Sequence, residues 1–269
     1  MSAILGVMLA TILLGQKQLP DQATAEDEKA AAAERLEFMK RSAAVYQITF
    51  GEKETRLKLI AEPVLRWTNP VSNVPDGGLF LWLGPEGRPE LAAQVFIAAG
   101  STDLWLHEFQ SLSTETMTVA RDRRLTWHPQ KPGIELKAVE GAPAPAESAV
   151  QRLAQMRAIA QNLEAADDFE GKSRWELRLL VKPLHRYGKP KTEILDGALF
   201  AFAHGTDPEV FLMIEARGAP GKYNWHYALA PMTSYAVKVS SKGKELWSAP
   251  HRQAPFPLDE PYFILKYEP

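Results

Sequence analysis

Four of the six histidines of this 269-residue chain lie in its C-terminal half, at His185, His204, His226 and His251. Imidazole changes charge near neutral pH and is the commonest metal ligand. With the carboxylate of Glu215, His185, His204 and His226 have the residue types for a metal site or an acid–base pair. They stand as the candidate binding residues. Neither H-E-x-x-H nor H-x-H occurs, however, and those are the local spacings that aim two imidazoles at one ion. Scattered surface histidines are the simpler account. No catalytic residue, metal-ligating set or cofactor is assigned.

Other chemistries fail on residue type or pattern. Cysteine is absent, which removes a thiolate nucleophile, a disulfide framework and a Cys-based zinc site. There is no G-x-x-x-x-G-K-[ST] loop, no G-x-G-x-x-G after a strand, and no G-x-S-x-G elbow. Asp167-Asp168 follows a helical pattern and reads as a solvated helix end, without calcium-loop spacing. The net charge is −2 and basic residues are interspersed with acidic ones. Nucleic acid is therefore not an expected partner, since phosphate contacts need clustered Lys and Arg.

The elements that must position these residues recur within the chain. Leu57, Leu59, Pro63, Arg66, Pro70, Asp76, Gly77, Leu79 and Phe80 recur 120 residues on, from Leu177 to Phe200. Trp105 and Trp127 recur as Trp225 and Trp247, and Arg35, Leu36 and Met39 match Arg152, Leu153 and Met156. Each half opens with a helical stripe. One runs from Thr24 to Ala44; the other has Pro145 in its first turn and Val150, Leu153, Met156, Ala160 and Leu163 on its apolar face. About five strand-like runs follow each helix, at spacings that suit antiparallel connections. Asp76-Gly77 and Asp196-Gly197 read as turns, with Arg66 and Arg186 pairing to the aspartates across a hairpin. Pro63 and Pro183 mark a bulge or an edge, and the paired tryptophans read as core. Tyr262 to Leu265 could add an edge strand.

The expected fold class is α+β, a tandem duplication in which each unit packs one helix on an antiparallel sheet of about five strands. The expected boundaries are a signal peptide over 1–25, a first repeat over 26–140, and a second repeat with C-terminal tail over 141–269. The apolar run Ala3 to Leu14 is too short for a ~30 Å hydrocarbon core. With Ala23-Thr24-Ala25 as a cleavage site it suits an export signal. A periplasmic or secreted location follows, without a transmembrane anchor in the mature chain.

The stretch Leu195 to Arg217 (LDGALFAFAHGTDPEVFLMIEAR), with Trp225 to Ser234 (WHYALAPMTS), resembles a family of uncharacterised exported proteins from planctomycete bacteria. The resemblance implies an envelope setting and transfers no activity. A helix before an antiparallel sheet is also similar to cystatin-like and NTF2-like cones, at the level of fold alone. The functional expectation is a non-catalytic binding or interaction protein of the bacterial envelope, its partner an envelope protein or a small ligand. The alternative is a hydrolase or metal-dependent enzyme with its site in the second repeat.

Overall fold

The computed structural model describes residues 25–122, 124–171 and 174–267. The expected signal peptide lies outside the described residues. The chain begins with α1 (Ala25–Ala44), β1 (Tyr46–Phe50), β2 (Thr55–Arg56), β3 (Lys58–Leu59) and β4 (Leu65–Asn69). It continues with β5 (Val74–Leu83), β6 (Pro89–Ile97), β7 (Trp105–Ser111), β8 (Met117–Arg121), β9 (Arg124–Trp127) and β10 (Lys137–Ala138). Then come α2 (Ala149–Gln161), β11 (Glu164–Asp167), β12 (Trp175–Tyr187), β13 (Ile194–His204) and β14 (Asp207–Ala219). The last strands are β15 (Lys222–Pro231), β16 (Val237–Ser241), β17 (Lys244–Ala249) and β18 (Tyr262–Tyr267).

The expected α+β fold, a tandem duplication of one helix on a sheet of about five strands, is overturned: strands make up 50% of the described residues and helix 15%, in large curled antiparallel sheets. One sheet has the order β10-β15-β14-β13-β12-β11-β16-β17, another β18-β7-β6-β5-β3 with β4 also on β5, and a smaller one β2-β1-β8-β9. An estimate of five strands per helix fails for two physical reasons. Edge strands come from segments distant in sequence: β10 from just before the boundary between the expected repeats, and β18 from the tail, where Tyr262 to Leu265 forms the edge strand expected there. The strands are also long, β12 and β14 reaching 13 residues each.

The central strands are apolar without alternation because both faces are covered. Phe80 and Trp82 of β5 pack with Met39 and Ala43 of α1, whereas Leu79 and Leu81 belong to a different core. Phe200 and Phe202 of β13 pack with Met156 and Ala160 of α2, and Leu199 and Ala201 turn the other way. Leu79, Leu81 and Ala92 meet Leu199, Ala201, Phe211 and Met213 in the shared core. The two large sheets therefore pack face to face, with a helix on each outer face. Trp105, Trp127 and Trp225 are buried, and Trp247 is partly so.

Local departures from the sequence reading have clear causes. Asp76-Gly77 and Asp196-Gly197 are not turns but lie buried within β5 and β13. Asp76 accepts Arg66 Nε at 2.8 Å and Arg35 Nε at 2.8 Å; Asp196 accepts Arg186 Nε at 2.9 Å and Arg152 Nε at 2.7 Å. The arginine from each helix thus joins a strand arginine on one carboxylate. A Cβ on Gly77 would lie 2.5 Å from the Trp67 ring, and one on Gly197 would lie 2.6 Å from the Tyr187 ring. Glycine stands there because an aromatic ring from the paired strand covers it. The second helix starts later than Pro145 suggests, capped by Ser148, and Val150 is 79% exposed rather than on the buried stripe. The β12 register shifts between Leu180 and His185, across Pro183, and Pro63 falls between β3 and β4.

Candidate functional site

The four candidate residues divide between separate environments. Glu215 of β14 is fully buried in the seam between the sheets. Its Oε1 accepts Arg88 Nε at 2.9 Å and Tyr187 OH at 2.7 Å, and its Oε2 accepts Arg217 Nη1 at 2.7 Å. Arg88 also donates to Glu90 Oε2 at 2.8 Å and to the Leu112 carbonyl at 3.0 Å. Burial pushes the Glu215 carboxyl up, but the Arg88 charge and the bonds from Tyr187 and Arg217 hold it below the usual range. Both oxygens are occupied, so this carboxylate ties the sheets together. Half-buried His185 stands beside the Tyr187 ring at 6.0 Å and shares a 2.9 Å hydrogen bond through Nε2 with the Gly87 carbonyl. His226 lies opposite Glu215 in the ladder, with Nδ1 3.2 Å from the Asn224 carbonyl oxygen.

His204 ends β13 and keeps different company. Asp167, expected on a solvated helix end, instead ends strand β11 and is buried. The ligand atoms of Asp167, His204 and Glu209 lie within 4.8 Å of one another. His204 Nδ1 is 3.7 Å from Asp167 Oδ2, beyond hydrogen-bond length. Among the described residues, neither ring nitrogen of His204 nor Asp167 Oδ2 has a hydrogen-bond partner. Phe169 and Trp175 flank the imidazole at 5.4 and 5.0 Å. Burial pushes the Asp167 carboxyl up and Glu209 well up, with the Asp207 charge adding to the latter. Asp207 itself is pushed up to about 7 by burial, against the bond from Asn69. Sequence reasoning found His204 and missed its partners. A signal was present in A-H-G-T-D-P-E (Ala203 to Glu209), where a histidine and two acids crowd a tight turn between apolar strands.

A pocket of about 830 Å³ opens beneath α2, walled by Val139, Ile159, Leu163, Trp225, Tyr227 and Leu246. Three lysines, Lys137, Lys242 and Lys244, and one acid, Glu140, also line it. Lys137 is paired to Glu135 at 3.3 Å. The Trp225 indole nitrogen is buried without a hydrogen-bond partner.

The matching corner of the other large sheet is filled. There Tyr267 of β18 lies opposite Trp105, the Phe38 ring of α1 lies tilted against Trp105 with centroids 4.3 Å apart, and Arg121 lies 3.9 Å over the Tyr267 ring. The Trp225 carbonyl accepts the Val139 N–H, and Val139, Gln155 and Ser241 line the pocket together with Trp225. Gln155 follows Arg152 by three residues, as Phe38 follows Arg35. Its amide is held at the surface by Ala144 and Ala146.

No family model, curated protein or solved structure matches this chain. Among the described residues no helix is long and apolar enough to cross a membrane.

Proposed function

We propose that the protein is a non-catalytic binding protein whose ligand is a small amphipathic anion, held in the pocket beneath α2. The observation that carries this reading is the pocket itself. Its volume falls within the range of about 300–1,000 Å³ usual for small-molecule sites, and its walls are apolar with few polar groups. With Lys137 already paired to Glu135, Lys242 and Lys244 against the Glu140 carboxylate favour an acidic head, and the aliphatic and aromatic walls suit a hydrocarbon body. The contrast with the filled Trp105 corner supports the same reading. Two bulky aromatic side chains close that corner, and neither has a counterpart here.

Export supports an envelope setting for this activity. It rests on the apolar run Ala3 to Leu14 and on the resemblance to exported planctomycete proteins.

Displacement of 1-anilinonaphthalene-8-sulfonate by dodecanoate, with dodecanol as the neutral comparison, tests the reading. Dodecanoate should bind better than dodecanol, and its advantage should shrink with added salt, as expected for exposed charges. Val139→Tyr with Gln155→Phe, which imports the plug of the other corner, should abolish displacement while leaving the melting temperature within a few degrees. A folded plugged variant that binds dodecanoate as the wild type does would refute it.

A further inference from the structure

We infer that Asp167, His204 and Glu209 form a site for one divalent first-row transition ion, with Zn²⁺ as its test ion. The three side chains come from the end of β11, the end of β13 and the start of β14, so an ion there would lock a strand end to the turn of the neighbouring hairpin. The inference does not depend on the pocket beneath α2.

Geometry makes the argument. Three tetrahedral ligands about 2.0–2.2 Å from one ion lie about 3.3–3.6 Å apart. The ligand atoms here lie within 4.8 Å of one another, so side-chain shifts of up to about 0.8 Å each bring all three onto one centre. The second observation is the set of unpartnered polar atoms. His204 and Asp167 are 7% and 3% exposed, and both imidazole nitrogens and Asp167 Oδ2 have no hydrogen bond. Buried polar atoms are nearly always satisfied, and leaving several open at one point is costly.

Among the described residues, two neighbouring cations are engaged elsewhere. Arg174 is held by Glu176 at 2.9 Å, and Arg178 donates to the Gly205 carbonyl at 2.8 Å. Two carboxylates and a neutral imidazole balance a divalent ion, and one nitrogen with two oxygens suits Zn²⁺ better than the all-oxygen shell of Ca²⁺ or Mg²⁺. The remaining Asp167 oxygen accepts the Phe169 N–H at 3.3 Å, which orients the carboxylate. Asp167 also lines a cavity of about 260 Å³ with Asp168 and Arg174.

The test is competition for Zn²⁺ between a chromophoric chelator and the chelator-stripped full chain, with thermal melts alongside. The wild type should take up one equivalent and melt higher with Zn²⁺ than without. Asp167→Asn and His204→Gln should each weaken binding by at least about 100-fold, since even outer-shell changes cost 10–100-fold. His226→Gln should leave it unchanged. X-ray absorption of the Zn²⁺-loaded wild type needs no variant, and should show one imidazole with oxygen completing the shell. The inference is overturned by absent stoichiometric uptake, by Ca²⁺ or Mg²⁺ binding in preference to Zn²⁺, by wild-type affinity in a folded Asp167→Asn chain, or by two or more imidazoles on the metal.

Discussion

Removing Arg88 tests whether the seam between the sheets is held by its charges. The side chain is 10% exposed, and its two partners Glu90 and Glu215 are 9% and 0% exposed. Arg88→Ala deletes two ion pairs and a bond to the Leu112 carbonyl, and it leaves both carboxylates in the seam. Breaking a buried pair from one side costs about 3–5 kcal/mol. Glu215 keeps Tyr187 and Arg217, so the lower end, about 3 kcal/mol, is expected. At about 2–4 °C per kcal/mol that is a fall in melting temperature of about 6–12 °C. Urea melts followed by circular dichroism would give the free energy directly, provided the slope is unchanged.

The pH dependence carries the sharper test. In the wild type Glu215 has its folded value depressed, burial being outweighed by Arg88, Tyr187 and Arg217. Its contribution is therefore present above the unfolded value of about 4.3 and lost as pH falls through the folded one. Without Arg88 burial is opposed only by Tyr187 and Arg217, so the folded value should rise and the ionised carboxylate should oppose folding more at neutral pH. Protonation relieves that opposition. The gap between wild type and Arg88→Ala should accordingly narrow as pH falls from about 7 to about 4. Adding Glu215→Gln to Arg88→Met should recover much of the loss. A cost under about 1 kcal/mol, as at exposed pairs, or a gap that ignores pH would refute the reasoning.

Three further outcomes are expected. His107 is pushed down to about 3 by burial and by Arg121, with Tyr46 on its Nδ1 at 2.6 Å and Tyr267 beside it. Its folded value lies below the unfolded value of about 6.5, so its share of stability is lost as pH falls from about 6.5 towards 3, and urea melts of His107→Gln should show a shallower acid limb. Gly197→Ala drives a methyl into the Tyr187 ring, whose hydroxyl is fixed on Glu215; a loss of about 1–3 kcal/mol is expected in a chemical melt. Trp225→Ala should cost ~3–5 kcal/mol and abolish dodecanoate binding together. An unmoved melting temperature would place Trp225 outside the core.

Much of the strand pattern was legible because long apolar runs bounded by Gly, Pro and Asn carry their own signal. The layers were less so. Periodicity shows which residues need a partner face, but β5 and β13 are apolar on both faces, and that pattern does not say whether helix or sheet covers each. Of the edge strands, Tyr262 to Leu265 was legible as β18, whereas β10 was not, since it contributes two residues of ladder from a Pro- and Ala-rich stretch. The Asp-Gly pairs misled for a specific reason. The dipeptide favours turns, yet here the aspartate is fixed by two arginines and the glycine by an aromatic ring, both from elsewhere in the fold.

The sites follow the same logic of convergence. Asp167, His204 and Glu209 come from three strands, and only the last two are close in sequence. No spacing rule reaches Asp167, whereas the fold sets it against His204 because β11 and β13 flank β12. The pocket is a matter of side-chain bulk. Arg35 and Arg152 place their helices alike on an aspartate, so the residue three positions on faces the same corner in each sheet. Phe38 fills that corner against Trp105. Gln155 turns its amide to the surface instead and leaves Trp225 with an unpartnered indole N–H. What sequence comparison within the chain could offer was the difference Phe38 against Gln155, which acquires meaning only when the corner is seen to be open. The recurring residues appear in both halves of the chain, and the place where a helix position loses its aromatic ring is where the pocket beneath α2 opens.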